Sequence, residues 1–463
     1  MAADKYQQNI TEGVIWKQLL AFFFPILLGT FFQQLYNTAD AIVVGNFVGK
    51  QALAAVGGST GVLINLFVNL FVGISSGATV VIAQYYGAAR HDDVHKVVHS
   101  STALAIVAGG VMTVVGVLIA PFVLRAMGTP ADIMDHALTY LRVYFFGMIA
   151  SFIYNMGSGV LRAVGDTRRP LYFLIAACLT NIALDLLFVA LLGMGVLGVA
   201  LATVLSQILS AVLVVLTLSR SEGQPYQLTL SQVRFSKGVL GSVFRVGIPA
   251  GLQSNMYTVS NIILQSCINS FGTNTVAAWT AFGKIDGFFW MIMGAFGVSI
   301  TTFVGQNFGA QKYHRVRQSV RVCLGLSFGV ALVASSLLYF FCQPVYRLFT
   351  ADGQVIDLGV QILRSMVPFY FTYICVEILA GAIRGTGDSI VPMLITCGGV
   401  CVLRVLWVLI ALPFKNELST VLASYPITWT VTSLLFIIYY LRGGWLRRRI
   451  AAMGFAPEQR RPH

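Results

Sequence analysis

The chain has 463 residues, of which 57% are hydrophobic and only 10% charged, with a formal net charge of +13. That balance excludes a water-facing globule of this length and places the chain in a bilayer. No polar domain carries the positive charge, which excludes a nucleic-acid-binding protein as well.

Apolar runs long enough to cross about 30 Å of hydrocarbon predict twelve spans. In chain order they lie near 14–38, 53–82, 97–124, 133–160, 170–192 and 196–219, then 246–271, 275–303, 320–342, 355–382, 389–412 and 418–441. Residues 1–13 carry Asp4 and Glu12, and no small-residue cleavage site follows the first run, so the first span is read as retained. It ends in QQLYNTADAIVVGNFVGK, where Asp40 follows a long apolar run with no cation closer than Lys50. A carboxylate in such a place needs a reason.

With the N-terminus inside, most of the 30 Lys and Arg fall in inner segments, and the outer loops hold only Lys50, Arg125, Arg347 and Lys415. Both termini are therefore expected in the cytoplasm. The basic stretch 442–463, with Arg447, Arg448 and Arg449, reads as an anchor at an anionic leaflet. The seven cysteines show no CxxC spacing, so no disulfide framework or thiolate metal site is expected. His91, His95 and His99 stand four apart beside Asp92 and Asp93, and solvated histidines at a membrane edge are preferred to a metal site. Close glycine pairs, Gly73/Gly77, Gly305/Gly309 and Gly325/Gly329, are candidates for tight helix approach.

An internal repeat is visible in the inner loops. VLRAVGDTRRP (160–170) and AIRGTGDSIVP (382–392) align Arg162, Gly165, Asp166 and Pro170 with Arg384, Gly387, Asp388 and Pro392. The same offset of 222 residues carries QYYGAA at Gln84 onto QNFGAQ at Gln306, and slightly larger offsets carry Asn46, Gly49 and Pro25 onto Asn269, Gly272 and Pro249. Each repeat holds six spans, an even number, so the halves enter the membrane in the same direction. The predicted fold is all-α: two pseudo-symmetric six-helix bundles around a central cleft, 14–219 and 246–441, joined by a hydrophilic linker at 220–245. The Arg/Asp pairs Arg162–Asp166 and Arg384–Asp388 are expected to fix the inner loops by capping and local ion pairs.

The paired R-x-x-GD-[TS] loops, the Q-x-x-GA loops and the NTAD stretch resemble the multidrug and toxic compound extrusion (MATE) exporters across roughly residues 14–441. The chain looks more like the DinF-like branch than the NorM-like one: where NorM-like members carry a Glu past the proline of the seventh span, Tyr257 stands here. The resemblance implies a monomeric antiporter of the bacterial cytoplasmic membrane. It would export amphipathic, mostly cationic organic compounds, driven by H⁺ or Na⁺, with no other cofactor and no catalytic residues. It also implies that Asp40, Asn181, Asp185 and Thr203 bind the coupling ion, and that Glu377 is a second acid for the ion or a cationic substrate.

The residues support that constellation on their own. Asn181 and Asp185 are spaced i, i+4 and share one helix face. Asp185 lies about 22 Å beyond the inner end of its span and Thr203 about 10 Å below the outer end of the next, so their depths agree. A mid-membrane Asp costs about 2.5–3.5 kcal/mol and persists most easily when a proton or cation neutralises it. Two carboxylates, an amide oxygen and a hydroxyl are hard ligands suited to Na⁺. The alternative is that these groups only hold helices together. Glu377 and its repeat partner Asn155 keep a polar group at one helix position in both halves, and an internal ion pair of Glu377 with Lys284 or Arg404 is its alternative. Pro25 and Pro249 are candidate hinges. Phe31, Gln34, Tyr36, Met256, Tyr257, Phe282 and Trp290 are candidate cleft residues for a flat organic cation. The competing function is a flippase for lipid or lipid-linked oligosaccharide, for which only Lys284, Arg364 and Arg404 supply cations within the spans. An enzyme is not expected, because no HExxH motif or Gly-rich phosphate loop is present.

Overall fold

The computed structural model describes residues 9–454, apart from the side chains of Lys50 and Ser59. Lys5, Arg460, Arg461 and the end of the basic stretch lie outside the described residues. The first half holds α1 (Ile15–Val43), α2 (Lys50–Gly57), α3 (Ser59–Gly87), α4 (His91–Ala126), α5 (Ala131–Phe146), α6 (Met148–Ala163), α7 (Arg168–Asp185) and α8 (Gly195–Ser219). The second holds α9 (Lys237–Asn269), α10 (Thr273–Gly309), α11 (Tyr313–Phe340), α12 (Cys342–Arg347), α13 (Gly353–Met366) and α14 (Tyr370–Gly385). It continues with α15 (Ile390–Thr396), α16 (Leu403–Ala411), α17 (Leu418–Leu441) and α18 (Gly444–Ala452).

Among the described residues ten continuous helical segments are long and apolar enough to cross a bilayer, or eleven if α5 and α6, bent by 48° around Gly147, count as one span. The protein is thus all-α and multi-pass. The expected count of twelve is not reached among the described residues because of α9: it is 33 residues long, but Gln253, Ser254, Asn255, Thr258, Ser260 and Asn261 dilute its apolar surface. Helix ends follow local chemistry. The Asp352 carboxylate caps α13 by accepting from the Gln354 and Val355 amides at 2.9 and 3.3 Å.

The chain packs as two compact units, one comprising Phe24–Gly251 and the other Ile10–Phe23 with Leu252 onward. The boundaries fall inside α1 and α9, beside Pro25 and Pro249. In the first unit, Gly73 and Gly77 of α3 meet α9 backbone to backbone: a Cβ on Gly73 would lie 2.2 Å from the Gly251 nitrogen, and one on Gly77 2.4 Å from the Val243 carbonyl. Gly325 and Gly329 do not pack this way, since nothing lies within 4 Å of a Cβ at either. The linker is strapped to α4. His99 Nε2 accepts the Thr229 N–H at 3.0 Å, its Nδ1 donates to the His95 carbonyl at 2.8 Å, and Tyr226 is fully buried. Both ring nitrogens of His99 are therefore engaged, which leaves none for a metal.

In the second unit Phe23 stacks on Phe296 at 4.1 Å. Arg315 holds the segment before α1, donating to the carbonyls of Ile10 at 3.2 Å and Gly13 at 2.9 Å.

The repeat is repeated in backbone geometry. Gly165 and Gly387 both take positive φ, +99° and +87°, and the non-glycine residues Ala89 and Gln311 take 54° and 56°. The expected ion pairs in these loops are not formed. Asp166 accepts from the Arg168 and Arg169 amides at 3.0 and 3.1 Å and pairs with the Arg169 side chain. Arg169, three residues on in the first turn of α7, shares the cap geometry that Arg162, at the end of α6, lacks. Burial pushes the Asp166 carboxyl above the usual range, and Arg169 and the amides only partly offset it. In the second loop Arg384 donates to Gln253 Oε1 at 3.2 Å, while Asp388 accepts the Val391 amide at 3.4 Å.

Candidate functional site

In the first unit, four of the residues singled out from sequence come together at helix ends. Asp40 lies near the C-terminus of α1, Asn181 and Asp185 in the last two turns of α7, and Thr203 on the third turn of α8. All four are buried, Asn181 and Asp185 completely. Both acid-bearing helices widen into π-helical turns just past the acids, Val44–Val48 after α1 and Leu186–Leu191 after α7. Such turns loosen the regular ladder and recur at functional sites.

Thr203 Oγ1 stands 3.3 Å from Asp40 Oδ2, and Asp185 and Asn181 lie within interaction reach of the same carboxylate. Yet the set is not internally satisfied. Asp40 Oδ1, both carboxylate oxygens of Asp185 and both amide atoms of Asn181 have no hydrogen-bond partner among the described residues. Buried polar atoms are rarely left so, because each costs about 1–3 kcal/mol or more when charged. The site therefore presents oxygens that can accept a proton or surround a small hard cation, with carboxylate, amide and hydroxyl donors of the kind Na⁺ takes. Among the described residues no three His, Cys, Asp or Glu side chains converge as for a transition metal.

Three polar residues missed from sequence belong to the same region. Tyr140 of α5 feels both Asp40 and Asp185. Its neighbour one turn on, Tyr144, has its ring 6.0 Å away and accepts a long hydrogen bond from Gln207 at 3.5 Å. Tyr36 is part of the same electrostatic neighbourhood, with Tyr144 and Asp40. The available signals were the i, i+4 spacing of Tyr140 with Tyr144 and of Thr203 with Gln207. Of the candidate cleft residues in this unit, Phe31 and Gln34 are exposed near the middle of α1.

The second unit holds a different arrangement. Glu377 accepts from Tyr373 at 3.1 Å, and Tyr373 meets Tyr257 hydroxyl to hydroxyl at 3.2 Å. The cation nearest in effect is Arg384; no ion pair joins Glu377 to Lys284 or Arg404 among the described residues. Asn155 donates within its own helix, to the Ser151 carbonyl at 2.8 Å, so the two repeat-related positions do different things. Asp286 accepts from Tyr370 and from the Trp290 indole N–H. The buried Arg404 lies 4.0 Å over the Tyr425 ring and donates to Thr428 at 3.3 Å. Trp290 packs edge-on against Tyr373 at 4.6 Å and against Trp429 at 6.0 Å. Phe282 is buried beside Trp279 at 5.0 Å, and Met256 is exposed on α9.

Comparison with known proteins agrees with this architecture. The sequence is 28% identical over 456 residues to the probable multidrug resistance protein YoeA of Bacillus subtilis, covering 96% of this chain and 97% of that one. Among solved structures, a MOP superfamily transporter from Pyrococcus furiosus Vc1, described as having a binding pocket of reverse polarity that suggests a different function, superposes with a TM-score of 0.89. It shares 24% identity and the match covers 98% of this chain and 100% of that chain. A MATE protein solved in a bent conformation gives a TM-score of 0.89 at 24% identity, covering 96% and 98%. The sequence model of the MatE family matches residues 25–187 and again 249–410, one block for each half of the internal repeat, beginning at Pro25 and at Pro249. Together the blocks cover well over half of the chain, and the protein belongs to the MatE family.

Proposed function

We propose that the protein is a cation-coupled exporter of amphipathic, mostly cationic organic compounds, working by alternating access, and not an enzyme. The observation that carries this reading is the set of unpartnered buried oxygens on Asp40, Asn181 and Asp185. Left ionised and empty, two such carboxylates would cost several kcal/mol at membrane depth. Together with Thr203 they bind H⁺ or Na⁺, the coupling ion. Neutralising Asp40 changes what the end of α1 bonds to, and Pro25, which removes one helical hydrogen bond, is the position at which α1 yields. Pro249 is its counterpart in α9. The six-plus-six organisation, with the polar α9 as a twelfth span and both termini cytoplasmic, follows from the repeat and from the loop cations.

The DinF-like assignment is supported by Tyr257, which joins Tyr373 and Glu377 in a hydrogen-bonded row where a NorM-like chain carries an acid. Glu377 is proposed as a second protonatable group that meets cationic substrate. Phe31, Gln34 and Tyr36 within the first unit, and separately Met256, Tyr257 and Trp290 within the second, are the proposed contacts for a flat organic cation. Phe282 serves as packing beneath Trp279. In the second unit Lys284 is exposed on α10, Arg364 sits over Tyr339 and Arg404 is buried over Tyr425. That scatter disfavours a flippase, which needs clustered cations for a lipid-linked phosphate.

The test is efflux of a cationic dye from proteoliposomes under an imposed pH gradient or Na⁺ gradient, applied separately. One gradient accelerates wild-type efflux and fails to accelerate Asp40→Asn or Asp185→Asn. Acceleration of both variants to the wild-type rate refutes the coupling role.

A further inference from the structure

The second unit also holds an open groove that the candidate site does not use. A cavity of about 650 Å³ opens between α11 and the turn that joins α13 to α14. It exists because α11 presents small side chains there. Gly329 has nothing within 4 Å of where a Cβ would stand, and Ser335 and Ser336 continue the same opening. The remaining walls are apolar, with Phe328 and Leu332 from α11 and Pro368 and Phe371 from the other side.

The lining changes character along the helix axis. Phe328 and Leu332 stand at one end of the groove and Tyr339, the penultimate residue of α11, at the other. From Tyr339 to Phe328 is about 16 Å at 1.5 Å per residue, with the two serines about 5 Å below the tyrosine. Over the Tyr339 ring, 5.8 Å from its centroid, lies the guanidinium of Arg364. Arg364 makes no hydrogen bond and no ion pair to any described residue, and neither Ser335 nor Ser336 has a hydrogen-bond partner among them. A serine within a helix can bond back to the i−4 carbonyl or turn outward, and these two are open to the groove. A cation at the rim, free hydroxyls one turn below it and an apolar floor thus follow one another in one groove.

We propose that this groove binds one anionic phospholipid, with its phosphate on Arg364, its glycerol esters at Ser335 and Ser336 and an acyl chain along Phe328, Leu332 and Phe371. The order of the groups matches the order of parts in a lipid. An arginine laid on an aromatic face is held in place for a phosphate. A zwitterionic head would bring its own cation beside Arg364, with no described carboxylate paired there to receive it. The site rests only on the chain's crossing a membrane and is independent of what the protein exports.

Native mass spectrometry of the full chain in mild detergent tests it, with phosphatidylglycerol and phosphatidylcholine of identical acyl chains added in turn. The wild type retains one phosphatidylglycerol, with a preference over phosphatidylcholine of about five-fold. Arg364→Ala abolishes the preference, and Ser335→Leu/Ser336→Leu, which fills the groove, abolishes retention of both lipids. Arg364 is on the surface, so its variant folds, and an unchanged gel-filtration profile verifies that for each protein. Equal retention of both lipids by wild type and variants means ordinary annular lipid and overturns the proposal. So does displacement of the lipid by inorganic phosphate at millimolar concentration, which would make the site one for free phosphate.

Discussion

Thr203 Oγ1 lies 3.3 Å from Asp40 Oδ2 and 3.0 Å from the carbonyl of Val199, one turn back in α8. The hydroxyl has one proton for two acceptors. When it donates to Val199 its lone pairs face Asp40, an arrangement that suits a carboxyl bearing its own proton or sharing a cation. When it donates to Asp40 it suits the bare carboxylate. Thr203 thus reads the state of Asp40.

Thr203→Val keeps the shape and removes the hydroxyl. It should cost about 1 kcal/mol of stability, the worth of one hydrogen bond, and weaken apparent affinity for the driving ion several-fold while leaving substrate affinity without ion nearly unchanged. Titration of dye efflux against pH or Na⁺ checks this.

Asp185→Asn replaces a buried carboxyl that has no hydrogen-bond partner among the described residues. In the absence of Na⁺ and at a pH raised far enough to ionise the carboxyl, the variant should be more stable than wild type by up to about 2–3 kcal/mol, and it should lose gradient-driven efflux. Thermal unfolding in detergent, followed by tryptophan fluorescence, reads the first effect and vesicle transport the second. A loss of stability would mean that the carboxylate holds the bundle together.

Gly77→Val should disrupt the α3–α9 crossing, because even a Cβ there would come within 2.4 Å of the Val243 carbonyl. Overpacking of this kind costs about 1–3 kcal/mol. Gly325→Ala, at an open position in α11, should gain about 0.5–1 kcal/mol from helix propensity. Comparing melting temperatures of the two separates close packing from a general sensitivity of glycine.

Asp166→Ala removes the cap of α7 and the partner of Arg169 together, at a cost of about 1–2 kcal/mol. Burial raises the carboxyl's pKa above its unfolded value, so folding binds a proton more readily at this group. Its contribution to stability therefore grows as pH falls through the folded pKa. Wild type minus Asp166→Ala in melting temperature should rise on acidification from neutral pH.

Much of this was legible in the chain. All the span positions but that at 246–271 followed from apolar length, and the repeat from matching loops, whose positive-φ residues now coincide at Gly165 and Gly387. Asn181 and Asp185 were paired by helical spacing alone. Tyr140 and Gln207 escaped notice because a tyrosine or glutamine within a span is ordinary until a carboxylate is known to face it. The partner of Asp166 was misread because sequence distance treats Arg162 and Arg169 alike, while helix-cap geometry places only Arg169 within reach. Gly325 and Gly329 show the same limit: spacing marks where a helix can be approached, not whether a neighbour comes.

The most direct measurement is cation release from the purified protein when a cationic dye binds, followed by a pH indicator in weakly buffered solution and by a Na⁺-selective electrode. Wild type should release about one H⁺ or Na⁺ per dye bound, and the Asp40→Asn/Asp185→Asn protein should bind dye and release neither. Equal release from both proteins would contradict the coupling role of these carboxylates, as would dye binding by the wild type without release of either ion.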